Sequence, residues 1–381
     1  MIYILSLLLC LFLAWNYDII GRKRNKLRWY RILLCWFILV SAFQYMVGSD
    51  MELYVEKYES FPTELSVNTI KTLMDNRQQP GWVLISWICR IITGNFFLMQ
   101  LIHAVVLNVA VFTFFRRESK YIFLCVLFYA ISAYLVLNFN AIRQSYSIAF
   151  GLYAFSALRR EQWKKYFLFV FAAFMFHNTA ILLLVFPLFR FLRFSGKTLL
   201  YFIAVVVLFI VILFRIDFET LMISVIETGV LGDSLSDVAT SYIADEDLGV
   251  EGRYAQLSFH LILVILVVFY YIIKKKNLLY GGAAVSYMIM VILTGLMPIL
   301  WRFRLFFDFE YFVILAQVVI ESPPNRYKKY KKWIYLAAIL VFFYFPFRDY
   351  MRPYVGSKFR YIDQYYPYHS IFYPVKEQRS L

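Results

Sequence analysis

Residues 96–115 read FFLMQLIHAVVLNVAVFTFF, an uncharged run that stops at Arg116 and Arg117. A helix needs about 20 predominantly apolar residues to cross the hydrocarbon core of a bilayer, and this run meets that length. Similar runs recur along the chain, at 2–20, 30–47, 121–138, 144–158, 198–214, 254–273, 279–298, 305–320 and 333–347. The repetition predicts an all-α integral membrane protein, a polytopic bundle of about 10–13 transmembrane or re-entrant helices.

Composition supports this class and excludes several others. The chain has 381 residues, of which 62% are hydrophobic and 17% are charged, whereas soluble domains carry about a quarter charged residues. The net charge of +15 sits in clusters between apolar runs, which is typical of loops that set membrane topology rather than of nucleic-acid binding. The cysteines and histidines lack metal-ligand spacing, and phosphate-binding loops are absent. We therefore expect membrane lipids around the protein, with no metal, cofactor or nucleic acid.

Charge also predicts the orientation of the chain. No positive residue precedes the first apolar run, whereas six Lys and Arg residues follow it between 22 and 31, so the N-terminus is expected outside. If the basic linkers are cytoplasmic, the two acidic loops 48–80 and 215–253 lie outside. This arrangement predicts a multi-pass membrane protein with a defined orientation.

The same reasoning sets the domain organisation. We expect a single transmembrane domain over 1–348, with extracytoplasmic loops 48–80 and 215–253, and an extracytoplasmic Tyr-rich tail over 349–381. Two segments must then fail to cross as simple helices. Residues 82–93 are expected to be re-entrant or interfacial, and 166–192, interrupted near His177, is expected to form a hairpin.

Polar side chains from four parts of the chain are predicted to meet the outer leaflet. They are Asp50 with Tyr54, then Asn140, Arg143 and Gln144, then His177, and finally Arg302 and Arg304. Guanidinium groups bind phosphate in a bidentate manner, so this set suits a lipid phosphate or diphosphate. Other interpretations stay open from the residues alone: a helix-end anchor for each arginine, a core histidine, and a turn or N-cap aspartate.

Three ordered motifs and a later arginine pair bring these residues close to a known family. The motifs are Phe43-Gln44-Tyr45 with Gly48-Ser49-Asp50 and Tyr54, then Asn140-Ala141-Ile142-Arg143-Gln144, then Phe176-His177-Asn178-Thr179-Ala180, with Arg302-Phe303-Arg304 following. In this order they resemble the EpsG-type polysaccharide polymerases, a branch of the Wzy-like O-antigen polymerases. The chain departs from the family pattern at Gln44, where members commonly carry Arg, and at Gln79 before Pro80-Gly81, where members often carry Glu.

The resemblance implies a membrane glycosyltransferase of exopolysaccharide or capsule biosynthesis, acting at the outer face of the bacterial plasma (inner) membrane. Its substrates are oligosaccharide repeat units linked to polyprenyl (undecaprenyl) diphosphate, joined at a non-reducing-end hydroxyl with loss of the lipid diphosphate. It implies that Arg143 with Arg302 or Arg304 holds the diphosphate, that Asn140, Gln144 and Tyr54 contribute to binding, and that His177, or alternatively Asp50, is the base. A partner that regulates chain length is compatible with this function.

Two other functions remain open at this point. A lipid-linked oligosaccharide transporter or flippase could use the same arginines without making a bond. A membrane acyltransferase that modifies a surface glycan could use His177 with Asn178.

Overall fold

A computed structural model describes residues 1–64, 66, 78–190, 201, 204, 263–268, 270–271, 278–296, 300–322, 330–353 and 358–376. The predicted span 198–214 and the predicted loop 215–253 lie almost entirely outside these ranges, as does most of the span 254–273. Within the described ranges the regular structure is helical, and extended pairing is confined to isolated bridges.

The apolar runs of the sequence form helices, which satisfy every backbone hydrogen bond within one segment and therefore suit hydrocarbon surroundings. The helices are α1 (Ile2–Ala14), α2 (Lys26–Ala42), α3 (Met51–Glu59), α4 (Pro80–Ile92), α5 (Phe97–Glu118), α6 (Ile122–Ser132), α7 (Tyr134–Phe139), α8 (Ile142–Arg159), α9 (Trp163–Phe174), α10 (Leu278–Leu296), α11 (Trp301–Glu321) and α12 (Lys331–Met351). A π-helical turn, Trp15–Ile19, extends α1.

Among the described residues, three helical spans are long and apolar enough to cross a membrane: Ile2–Ile19, Phe97–Glu118 and Lys331–Met351. Several shorter apolar helices accompany them, including Pro80–Ile92 and Ile122–Ser132. Large apolar side chains lie exposed on these and neighbouring helices, as Leu8, Phe12 and Leu340 do. Extended exposed apolar surface of this kind is typical of contact with lipid. The described fold is thus that of an all-helical membrane protein.

The chain forms two compact units, one of residues 1–187, 315–354 and 358–381, the other of 188–314 and 355–357. In the first unit, α5 packs against α2 and α8, α8 packs against α9, and α1 packs against α6. In the second, the rings of Tyr287 and Tyr311 stack 4.1 Å apart between α10 and α11.

Two buried carboxylates, Asp18 and Glu118, connect helix ends at one end of the first unit. We name this end, which carries Lys26 and Arg159, the basic end. Asp18 accepts hydrogen bonds from the backbone N–H groups of Phe123 and Leu124 at 2.8 Å each, at the start of α6, where the positive end of the helix dipole favours an anion. It also pairs with Lys26 at 2.8 Å. Glu118, at the end of α5, pairs with Arg159 at the end of α8 at 3.0 Å. The starts of α5 and α8 therefore lie together at the opposite end.

The two segments predicted to be irregular both have short elements. Residues 82–92 fall in α4, whose 13 residues begin with Pro80, and Thr93 follows its end. The segment 166–192 is interrupted as predicted: α9 ends at Phe174, the chain turns, and two 3-10 helices follow, Asn178–Leu184 and Phe186–Arg190. The turn carries His177.

Candidate functional site

Arg143 lies in the first turn of α8, and two residues from distant parts of the chain hold its side chain. Its Nη1 donates a hydrogen bond to Oε1 of Gln79 at 3.2 Å. The Tyr54 phenol lies within hydrogen-bonding reach of the side chain and the backbone of Arg143. Burial raises the pKa of Tyr54, the charge of Arg143 opposes this shift, and the charge of Asp50 adds to it. We name Tyr54, Gln79 and Arg143 the arginine cluster. Arg143 is partly exposed.

Asp50 lies one helical turn before Tyr54, and the Tyr54 N–H donates to the Asp50 carbonyl at 3.1 Å. The Asp50 side chain is exposed, and Ser49 Oγ donates to its Oδ1 at 3.3 Å. The first and second sequence motifs therefore meet at the arginine cluster, since Asp50 precedes α3, Tyr54 lies in α3 and Arg143 lies in α8.

The third motif lies in the same region, because Gly81 contacts the residue just before it. Gly81 follows Gln79 and Pro80 at the start of α4. The Gly81 N–H donates to the Met175 carbonyl at 2.7 Å. A Cβ at this position would lie 2.8 Å from that oxygen, so only glycine permits the approach. The ring of Phe176 stacks on Tyr146 of α8, with centroids 4.9 Å apart. The turn that carries His177 is thus packed against the first turns of α4 and α8.

Thr179 orients the ring of His177. Nδ1 accepts the backbone N–H of Thr179 at 3.3 Å and lies 2.7 Å from Thr179 Oγ1. An Nδ1 that accepts a backbone N–H carries a lone pair, so the neutral ring bears its proton on Nε2. In this arrangement the Nδ1 lone pair is already occupied, so the ring is better suited to donate a hydrogen bond than to abstract a proton.

Asn140 and Gly48 connect the second motif to the first and to the C-terminal tail. Gly48 has φ +106, a region that disfavours any side chain, and a Cβ there would lie 2.2 Å from Asn140 Oδ1. Asn140 Nδ2 donates to Gln364 Oε1 at 2.8 Å and to Tyr365 Oη at 3.0 Å. Both N–H donors of the Asn140 amide are therefore engaged within the protein, whereas its buried Oδ1 accepts no hydrogen bond from the described residues.

The remaining predicted residues have different surroundings. Gln144 is buried in α8, with 2% of its surface exposed. Arg302 and Arg304 lie in α11, within the second unit. The Arg302 guanidinium lies over the Trp301 ring, 5.8 Å from its centroid. Arg304 pairs with the buried Asp308 one turn further along α11, at 3.4 Å, a spacing visible in the sequence.

Three residues of the site were not predicted from the sequence as site residues. Gln79 was noted only as a departure from the family pattern, although it accepts a hydrogen bond from Arg143. Gln364 and Tyr365 contact Asn140 from more than 200 residues away, in a segment without periodicity. The Tyr-rich composition of the tail was their only signal.

Comparison with known proteins supports the family named by the motifs. The model of the EpsG family matches residues 27–370, which include the arginine cluster, the His177 turn and most of the tail. No curated protein and no solved structure matches the chain. The match covers nearly the whole sequence and confirms the resemblance carried by the ordered motifs. The chain belongs to the EpsG family, a family of Wzy-like polymerases.

Proposed function

We propose that this protein polymerises polyprenyl-diphosphate-linked oligosaccharide repeat units at the outer face of the bacterial plasma membrane. The observation that carries the proposal is the arginine cluster. Tyr54 and Gln79 orient the guanidinium of the partly exposed Arg143 from two separate segments, which is the preorganisation that recognition of a phosphate needs. Family membership supplies the class of reaction.

The identity of residue 79 strengthens the cluster as an anion site. Family members often carry Glu there, which at this distance would neutralise Arg143 by an ion pair. Gln79 holds the guanidinium through a neutral amide oxygen instead, so the positive charge stays available for an anionic ligand.

The proposed reaction is a displacement at the anomeric carbon of the growing glycan. A hydroxyl at the non-reducing end of the acceptor unit attacks this carbon, the bond from the carbon to the diphosphate oxygen breaks, and the hydroxyl proton passes to a base. Arg143 stabilises the negative charge that develops on the departing lipid diphosphate. The role of Arg302 or Arg304 in holding a diphosphate stays a prediction from the sequence.

The roles of general base and of hydrogen-bond donor to the phosphate can be assigned to different residues, Asp50 and His177. His177 carries its ring proton on Nε2 because Thr179 occupies Nδ1, so it suits donation to a phosphate oxygen. Asp50 has an exposed carboxylate beside Tyr54 and suits acceptance of the hydroxyl proton. We therefore assign the base to Asp50 and keep His177 as the alternative.

The proposal includes the topology expected from charge. The basic end, with Lys26, Arg159 and the basic linkers, would face the cytoplasm, while the arginine cluster at the opposite end would face outward. The N-terminus would then lie outside, and the full bundle of about 10–13 helices would form one transmembrane domain.

Lipid-linked saccharides in cells that lack the gene test this function. Complementation with the Arg143→Ala variant should leave single repeat units on the outer leaflet, where an impermeant oxidant of sugar diols reaches them. Arg24→Ala is the matched control, because it removes the same charge from an exposed position near the basic end and should restore polymer. Units trapped on the inner leaflet would indicate a flippase, and polymer that lacks an acyl group would indicate an acyltransferase.

A further inference from the structure

The C-terminal segment 358–376 is built into the end of the first unit that carries the arginine cluster. Backbone hydrogen bonds of 2.9–3.0 Å join it to residues 43–48, which contain the first sequence motif. They run from Ile371 N to Phe43 O, from Tyr45 N to His369 O, and from Gly48 N to Gln364 O. The Tyr368 hydroxyl adds a bond to the Val40 carbonyl at 3.0 Å, at the end of α2.

Only part of the segment is inserted. Gln364 and Tyr365 are 5% and 3% exposed, whereas Phe372 and Tyr373 are more than 70% exposed. A short 3-10 helix, Tyr361–Gln364, presents the inserted pair, and Arg360 closes it by pairing with Asp363 at 3.0 Å. The insertion is therefore specific to two side chains rather than a general burial of aromatic residues.

The side chains of Gln364 and Tyr365 both accept a hydrogen bond from the side-chain amide of Asn140. The Asn140 amide has two N–H donors, and it directs them to Gln364 Oε1 and Tyr365 Oη. Its oxygen lies against the Cα of Gly48, where a side chain would collide with it. Asn140 is thus held by its two N–H groups and by packing against Gly48, although its Oδ1 accepts no hydrogen bond within the described part of the chain. Arg143 follows it by three residues at the start of α8.

We propose that the segment 358–376 is an integral wall of the substrate site, in which Gln364 and Tyr365 are positioning residues. They hold Asn140, and through the turn 139–142 they set the direction of the Arg143 guanidinium toward the lipid diphosphate. Asn140 acts as the anchor of this turn, since its N–H groups are already donated to the tail. The inference rests on the proposed function.

The test compares variants that remove the two acceptors without removing volume. Gln364→Met and Tyr365→Phe each leave one acceptor for Asn140, so each should reduce polymerisation only about two- to fivefold, in keeping with one neutral hydrogen bond. The double variant should reduce it at least about tenfold. Tyr344→Phe, an exposed change on α12 outside this segment, is the matched control and should polymerise at the wild-type rate.

Combining the substitutions distinguishes a positioning role from a general effect on stability, because changes that break the same interaction do not give additive losses of polymerisation. Asn140→Leu should match the double variant, and combining all three changes should cause no further loss, because they break the same interaction. Melting temperatures in detergent should stay close to that of the wild type. Additive losses, or losses that follow a fall in melting temperature, would overturn the inference.

The same experiment distinguishes the two proposals. If cells that lack the gene still form polymer, the proposed function fails, and this inference fails with it. If Arg143→Ala polymerises normally, the role of Arg143 fails, and so does the inference that the tail positions it. If Arg143→Ala abolishes polymer while the double variant of the tail polymerises at the wild-type rate, only the positioning role of the tail fails.

Discussion

Gly48→Ala provides a sharp test of the packing around Arg143. The added methyl group would lie 2.2 Å from both Asn140 Oδ1 and the Phe139 carbonyl oxygen, against an ordinary contact of about 3.5 Å. One neighbour is backbone, so the turn must move by about 1 Å. The φ of +106 adds strain of about 1–3 kcal/mol, and overpacking adds about 1–3 kcal/mol more.

Gly21→Ala is the matched control for the backbone strain that a side chain causes at a positive φ. Gly21 also has a positive φ, +82, but a Cβ there meets nothing within 4 Å. We expect Gly21→Ala to cost about 1–2 kcal/mol without affecting polymerisation. Gly48→Ala should unfold at a clearly lower temperature and polymerise about 100-fold more slowly per folded molecule, since a shift of about 1 Å in a catalytic group has that effect.

Thermal unfolding in detergent, followed by intrinsic fluorescence, measures the first quantity. Polymer formed per amount of folded protein measures the second. Equal behaviour of the two alanine variants in both assays would refute the argument that Gly48 makes room for the turn before Arg143.

Three further predictions follow from other contacts. Tyr54→Phe removes the hydroxyl that orients Arg143 and should slow polymerisation about tenfold, as expected for a hydrogen bond to a charged group, while the melting temperature stays unchanged. Asp18→Ala strands Lys26 and two backbone N–H groups, so it should lower the free energy of unfolding by about 3 kcal/mol; an unchanged melting temperature would contradict this. The hydrogen bond from its arginine partner lowers the pKa of Asp363, so its contribution is complete above the ordinary carboxylate pKa and is lost as the pH falls through the lowered value. Proteolysis of the tail should therefore increase in acid, and Asp363→Asn should be susceptible at neutral pH as well.

The sequence predicted the features that depend on local pattern. Apolar length and basic linkers indicated the membrane helices, as at Phe97–Glu118, and the His177 interruption appears where α9 ends. The ordered motifs pointed to the family and to residues that the fold brings together, such as Tyr54 and Arg143. These signals are local because each needs only hydrophobic period, charge or a short motif.

The rest of the site depends on contacts that leave no local signal. Gln364 contacts Asn140 through one side-chain hydrogen bond and Gly48 through one backbone hydrogen bond, and both partners are more than 200 residues away in the sequence. No sequence periodicity identifies a residue that makes such contacts. Gln144 lies in a motif, yet its side chain is buried, because the direction of a side chain depends on how its helix packs. The break between α6 and α7 at Ala133 likewise lies inside a continuous apolar run.

The most direct test of the central claim uses purified protein in liposomes. Lipid-linked repeat units extracted from cells that lack the gene are the substrate, and the wild-type protein should release one polyprenyl diphosphate for each new glycosidic bond. Arg143→Ala should abolish both products, while Arg24→Ala should leave both unchanged. Movement of intact lipid-linked units across the bilayer, without release of polyprenyl diphosphate, would contradict the account.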